Sequence, residues 1–482
     1  MPKRIAVIDL GSNSARMAIF ERTSRLGFFI LREYKLKVRL GEGAYEKGGV
    51  LQQKAMDNVY SAFSEFKSYI KLYGARRIIA TGTSALRDAP NAKEFINRVK
   101  NGLGINLRVV DGKSEAYYGG LAALNLLSPL KNATTIDIGG GSTELARIQN
   151  GRISATISLN IGTVRLKELF YDKKDANGAS EFINKLLKGI DKDFANSDII
   201  AIGGSLRAIS TAIIKERKYP LESLHNFIYP FNAQNSAYIR KIALSSVLGL
   251  KNFNISKDRF DTIRGGALVF LKLCESLGAK RVITSGVGIR EGLFLSAILR
   301  PGVKFPANFN PSLKSLQDRF CPIDNRATLN TAKELFRVFA PFHRLGENEL
   351  FLLSVAAKIF NVGRTLGYYK ERLNSAYIVR TALNYGYTHE QLCNIAVICQ
   401  FHGKDFDNDD LGEFSKLCAP LKTLKWLCFL LASARELSTF KQARFSLDGS
   451  TLKISGLSDH LMLKQSLKKL PKPATIAISF ED

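Results

Sequence analysis

Residues 136–145 read IDIGGGSTEL: an apolar run, an aspartate near its end, then three glycines and two hydroxyls. Glycine is the default residue where a turn needs positive φ, so the glycines alone describe a tight hairpin. The aspartate is what a hairpin leaves unexplained. The same layout occurs at residues 5–20, IAVIDLGSNSARMAIF, where Asp9 precedes Gly11. Two echoing Asp–glycine hairpins imply two related halves, each carrying a carboxylate at a strand end.

The surrounding pattern agrees. Residues 5–9 and 15–20 read as strands joined by GSNS. Met56, Val59, Phe63, Phe66 and Ile70 recur at helical spacing and predict a helix ended by Gly74. RRIIATG (76–82) reads as a buried strand feeding a Ser/Thr loop and a short helix that stops near Pro90. Residues 105–127 repeat strand, turn and helix, the helix opening at Ser114. Residues 133–162 read as a three-strand meander with its second turn at QNGR. A polar helix follows, then a strand at 198–204, a helix from Ser205, a helical stretch to about 280, and a strand and helix in RVITSGVGIREGLFLSAIL (281–299). Alternating strands and helices make residues 1–300 an α/β unit. RPGVKFPANFNP (300–311), with three prolines, reads as a linker. Beyond it come successive amphipathic helices, and then a tail with short strands at 443–456 and 474–480 around a Lys-rich helix.

Composition narrows the function classes. The 482 residues are 45% hydrophobic and 23% charged, as in a globular protein large enough for several cores. No apolar run approaches the ~18 residues of a membrane span, and Asp9 interrupts the only candidate leader, so no signal peptide, no membrane partner and a cytoplasmic location are expected. The six cysteines are scattered without a CxxC pair, which suits reduced thiols. Net charge is +27. Of 70 Lys and Arg and 43 Asp and Glu, residues 311–482 hold 23 and 17, leaving 47 and 26 to residues 1–310. The excess lies with the glycine loops. A basic surface attracts polyanions generally, whether nucleic acid, acidic lipid or polyphosphate.

The loops themselves suggest phosphate. Gly11 and Gly139–Gly141 let backbone N–H groups converge on phosphate oxygens, and the following hydroxyls and amides add donors. A carboxylate beside a phosphate is repulsive unless a cation lies between them. Mg²⁺ suits that place, because it takes one or two carboxylates and completes its shell with water and phosphate. AIGGSLRAIS (201–210) is a third glycine loop, with Ser205 at a helix start where an anion is favoured. Arg87, one turn into the helix after RRIIATG, and Arg16, on the strand after the first hairpin, could each clamp phosphate oxygens. Glu115 opens a helix, where a capping carboxylate is common. Facing the cleft, it could orient or deprotonate a water.

AVIDLGSNSARMAIF, ATGTSALRDAPN, DGKSEAYYGG, TIDIGGGSTEL, AIGGSLRAIS and ITSGVGIREGLF occur in an order and spacing that resemble the exopolyphosphatase/guanosine pentaphosphate phosphatase (Ppx/GppA) family over residues 4–300. The resemblance implies the actin-like (ribonuclease H-like) fold of two α/β subdomains, 1–125 and 126–305, with the site between them. It implies hydrolysis of terminal phosphoanhydrides. On the matching positions Glu115 would be the general base and Asp137 a Mg²⁺ ligand, with Asp9 and Glu144 lining the metal site. Ser12, Asn13, Gly139, Gly140, Gly141 and Ser142 would cradle phosphate, and Arg87 and Arg16 would grip the substrate. Gly203, Gly204 and Ser205 match the loop that meets a nucleotide in the wider fold. Another divalent cation could replace Mg²⁺, and a homodimer is expected. The motifs do not separate an exopolyphosphatase from a guanosine pentaphosphate phosphatase of the stringent response. The charge favours polyphosphate. An ATP-dependent small-molecule kinase of the same fold and a non-catalytic polyanion binder are the competing classes. No RNA-reading aromatic motif is present, so no specific nucleic acid is expected.

The helices at 306–438, followed by a small α/β segment at 439–482, resemble the HD-like domain of longer family members. Where that domain has His and an acid, this chain has Phe360 and Asn361, and Asn374 replaces a further His. His343 and His402 remain, but two isolated histidines do not make a metal site. A second hydrolase centre is not expected there.

Overall fold

The computed structural model describes residues 3–299, 304–321, 323–457 and 460–481. Residues 300–303 of the expected linker lie outside them. The chain divides into two units, Met1–Phe309 and Asn310–Asp482, so the division falls inside that linker.

In the first unit, the hairpin after Asp9 joins β1 (Arg4–Leu10) to β2 (Ala15–Arg22). Ile5 to Ile8 are all buried, as befits a strand covered on both faces. The sheet is completed by β3 (Phe28–Leu36), β4 (Arg77–Gly82) and β5 (Leu107–Val109), in the order β3-β2-β1-β4-β5. β1 to β3 are antiparallel, and β1, β4 and β5 are parallel. The second sheet repeats this plan. β6 (Ala133–Ile138), β7 (Thr143–Gln149) and β8 (Arg152–Leu159) form the meander, turning at Asn150 and Gly151, both at positive φ. β9 (Asp198–Ile202) and β11 (Arg281–Thr284) extend it in parallel, and β10 (Ile228–Pro230) adds an antiparallel edge. The order is β10-β11-β9-β6-β7-β8. This duplication is the actin-like architecture. Each lobe has its own core, around Phe63, Phe66 and Phe95 in one and Phe227, Phe270 and Leu273 in the other.

Two helices cross between the lobes. Gly112–Leu126 leaves β5 yet packs on β7 and β8 of the other sheet, while Ile289–Ile298 leaves β11 and packs on β1. Phe294 on the latter stacks on Phe20 at 4.2 Å. The two helices also pack on each other. The first opens two residues before the expected Ser114, because Asp111 caps it by accepting from the Ser114 N–H at 2.9 Å. The expected strands and helices at 53–72, 84–87 and 204–216 are present. Residues 28–36 form a strand that no sequence pattern marks. β3 alternates poorly and is mostly exposed along its second half, so it lacks a period-2 signal.

In the second unit, helices Pro311–Phe320, Arg326–Val338, Glu347–Ile359, Glu371–Ala382, His389–Phe401 and Leu421–Leu437 enclose a core around Trp426 and Phe429. A small sheet, β12 (Arg444–Asp448), β13 (Thr451–Ser455) and β14 (Ala477–Glu481), joins that same core through Leu452 and Ile454, with Ile476 just ahead of β14. Asn361 and Asn325 exchange amide hydrogen bonds at 2.8 and 3.1 Å. His343 is bonded through both ring nitrogens to backbone. His402 is 1% exposed and bonded through Nδ1 to the Cys399 carbonyl, and among the described residues its Nε2 has no partner. Among the described residues no single helix is long and apolar enough to cross a membrane.

Candidate active site

The strand ends of both sheets meet at one cleft between the lobes of the first unit. Asp9, Ser12, Asn13, Arg16, Glu115, Asp137, Gly139–Ser142 and Gly203–Ser205 all line it. Two of the residues singled out in the sequence are not on its wall. Arg87 lies just behind, and Glu144 is buried at 2% exposure beside Asp137 on the neighbouring strand.

The two phosphate-loop candidates touch. A Cβ on Gly140 would come within 2.9 Å of Ser12 Cβ, and one on Gly141 would collide with the Tyr45 and Ser84 hydroxyls, so no larger residue fits between them. Tyr45 donates to Ser12 Oγ at 2.9 Å.

Pseudo-equivalent positions in the two lobes carry opposite charge. Across β1 and β2, Asp9 faces Arg16; across β6 and β7, Asp137 faces Glu144. One lobe therefore sets a positive charge across from its carboxylate, and the other sets a second carboxyl there. Burial pushes the Asp137 carboxyl up to about 6 and Glu144 up to about 8. Asp9 is raised too, again chiefly by burial, with Arg16 opposing. Glu115 is held well above the ordinary carboxylate range, first by burial and next by the Glu144 charge.

The crossing helix explains how Glu115 comes here. It starts at the end of β5 but lies on the second sheet, bringing Glu115 towards Glu144 and Asp137. Arg87 Nη1 donates to Glu115 Oε2 at 3.1 Å and to the Val110 carbonyl at 3.2 Å, while Nη2 reaches Ser142 Oγ at 3.5 Å. A carboxylate with a raised proton affinity beside a guanidinium, above a phosphate loop, is chemically able to take up a proton next to a bound anion.

The residues at Asp137 suit a cation. No hydrogen bond or ion pair joins the Asp9 or Asp137 carboxylate to any described residue. Glycines crowd Asp137: a Cβ on Gly203, at φ +98°, would lie 2.8 Å from Oδ1, and Cβ atoms on Gly119 and Gly288 would lie 3.9 and 4.0 Å from Oδ2. Space is thus kept beside Asp137, and it and Asp9 are half-buried carboxylates without donors among the described residues. Among the described residues no three His, Cys, Asp or Glu are grouped as a complete metal site. Two protein carboxylates, completed by water and phosphate oxygen, match how Mg²⁺ is held.

Three arginines escaped the sequence reading. Arg207, Arg259 and Arg290 line the cleft with Arg16. Arg207 donates to the Gly203 and Gly286 carbonyls, and Arg290 pairs with Glu33 at 2.8 Å. Burial, with Arg207 and Arg290 nearby, lowers Arg16 to about 10. A signal existed: Arg87, Arg207 and Arg290 each sit on the first turn or so of a helix that follows a glycine at a strand end. Arg259, on a 3₁₀ turn, had none.

The Ppx/GppA phosphatase family matches residues 18–301, and domain III of that family matches residues 312–466. A guanosine-5'-triphosphate,3'-diphosphate pyrophosphatase of Pseudoalteromonas translucida is 28% identical over 452 residues, covering 89% of this chain and 87% of that one. The solved Aquifex aeolicus member of the Ppx/GppA family is 27% identical, with a TM-score of 0.53 over 62% of this chain and 99% of that one. An exopolyphosphatase from Cytophaga hutchinsonii, 22% identical with a TM-score of 0.56, covers 61% of this chain and 97% of its own and shares the fold.

Proposed function

Since the chain belongs to the Ppx/GppA phosphatase family, whose members hydrolyse phosphoanhydrides, we propose that it is an exopolyphosphatase. It would cut the terminal phosphoanhydride of inorganic polyphosphate and release orthophosphate. The observation that carries the choice of substrate is the group of four arginines beyond the phosphate loops. Arg16, Arg207, Arg259 and Arg290 line both the cleft and an adjoining recess that also has Lys35 and one acid, Glu33, paired with Arg290, a wall of net positive charge for a chain of phosphates.

In this reading Gly139–Ser142 and Ser12–Asn13 hold the terminal phosphate, and Arg87 gathers charge on its oxygens. Glu115 takes a proton from the water that attacks phosphorus in line. Its proton affinity, raised above that of an ordinary carboxylate by burial and the Glu144 charge, favours taking a proton from that water. Asp137 and Asp9 would hold Mg²⁺, with Glu144 behind them; the bound ion supplies electrophilic polarisation of the phosphoryl oxygens. Gly203–Ser205 would meet the more distant part of the substrate. The six cysteines are unpaired, which accords with a reducing cytosol.

A second reading is favoured by the Pseudoalteromonas relative, matched along most of the chain: guanosine pentaphosphate, losing its 5' terminal phosphate, would use the same cleft. Phosphate release from long-chain polyphosphate and from guanosine pentaphosphate, each with Mg²⁺ and with chelator, separates the two. The expected result is metal-dependent turnover with the higher kcat/KM on polyphosphate. A much higher kcat/KM on guanosine pentaphosphate would reverse the order.

A further inference from the structure

Arg165 is absent from the cleft wall, yet three of its contacts bear on the groups that form the cleft. Its backbone N–H donates to the Gly140 carbonyl at 3.1 Å and its Nε to the Gly141 carbonyl at 2.9 Å. Its guanidinium lies 4.3 Å from the ring centroid of Tyr45, the residue that bonds Ser12. Its Nη2 donates to Asp88 Oδ2 at 2.6 Å. Asp88 belongs to the other lobe and directly follows Arg87, whose Nε is 3.7 Å from the second oxygen, Oδ1. One carboxylate therefore stands between two guanidiniums, Arg87 from its own lobe and Arg165 from the opposite one.

This geometry has a consequence for aim. Arg87 shares its charge among Asp88, Glu115 and Ser142. With Arg165 in place, Asp88 is partly satisfied from the far side and its pull on Arg87 is limited. With Arg165 gone, Arg87 is the one cation left to the Asp88 carboxylate among the described residues, and a bidentate pair would draw that guanidinium away from the phosphate loop. Both arginines are mostly shielded from solvent, so the competition is weakly screened.

We propose that Arg165 and Asp88 are positioning residues, a latch between the lobes that sets the aim of Arg87. Closure of the cleft and alignment of the catalytic pair are then one event, because Arg165 can reach Asp88 only when its own lobe presents the Gly140–Gly141 loop against Ser12. This rests on the hydrolytic reading of the site.

The test is steady-state polyphosphate hydrolysis with Mg²⁺ for wild type, Arg165→Met, Asp88→Asn, the double variant and Arg165→Lys, each checked for an unchanged unfolding midpoint. Arg165→Met should lower kcat about ten- to a hundred-fold and change KM by no more than about two-fold, as for a group that aligns but does not bind. The double variant should be no worse than the poorer single, since the two act as one unit. Arg165→Lys should recover part of the loss, its ammonium still reaching Asp88 but not both partners. Wild-type kcat in Arg165→Met, multiplicative losses in the double variant, or a rise in KM alone would overturn the latch. Absence of hydrolysis in the wild type would instead strike at the function itself.

Discussion

In the proposed hydrolysis, Glu115 is the residue on which the chemistry turns. Its carboxyl is mostly shielded from solvent, feels the Glu144 charge, and accepts from Arg87 at 3.1 Å. Glu115→Gln keeps the shape and removes the base, so kcat should fall about 10²- to 10⁴-fold with KM little changed. A phosphate-release time course checks this, and wild-type turnover would remove Glu115 from the role. The sequence made Glu115 a candidate only as a helix-opening residue, and a capping carboxylate is the commoner explanation at such a place. Asp111 is the actual cap, which frees Glu115 for the cleft. Nothing local could say that this helix packs on the other lobe. That is why Glu115 needed the family resemblance, whereas Asp9 and Asp137 stood out from the repeat. Glu144 was expected to line the metal site; it is the direct partner of Asp137 across β6 and β7, but it is buried and off the cleft wall.

At the scale of elements, the glycine turns decide how close the strand ends come. Gly203 is at φ +98° and ψ +164°, a region open in practice only to glycine, directly against Asp137. Gly203→Ala should therefore cost about 1–3 kcal/mol of stability and also displace Asp137, raising the Mg²⁺ concentration needed for half-maximal turnover. Denaturant unfolding and a metal titration measure the two effects separately. An alanine variant with both values unchanged would mean that the space beside Asp137 is not used. These turns were legible from sequence because Gly-rich segments end apolar runs. β3 and β10 were not, the first an edge strand with poor alternation and the second only three residues long.

At the scale of the whole molecule, charge is divided between a basic catalytic unit and a nearly balanced helical one. The second unit carries a buried histidine, His402, whose ring lies 5.5 Å from that of Phe360. Burial, with Arg435 and Arg372 next, holds His402 down at about 3. An ordinary histidine near 6.5 takes up a proton on unfolding, so the folded state loses stability as pH falls from about 6.5 towards 3. The slope is about 1.4 kcal/mol per pH unit. Trp426 is the chain's single tryptophan and lies in that core, so its fluorescence reports this unit. The Trp426 unfolding midpoint should fall between pH 6.5 and 4, and His402→Leu should flatten the slope while leaving phosphate release near wild type. Equal slopes in the two proteins would refute the buried neutral histidine. The helical character of this unit was plain from amphipathic spacing, as was the loss of the expected His and acid at Phe360 and Asn361. That the tail strands share its core was not, because their apolar residues name no partner. The central claim is that water, not another acceptor, takes the terminal phosphoryl group. Polyphosphate turnover in ¹⁸O-water with Mg²⁺ tests it most directly. One solvent oxygen should appear in each orthophosphate released by the wild type; turnover that leaves no ¹⁸O in the phosphate, with the phosphoryl group found on an acceptor, would contradict it.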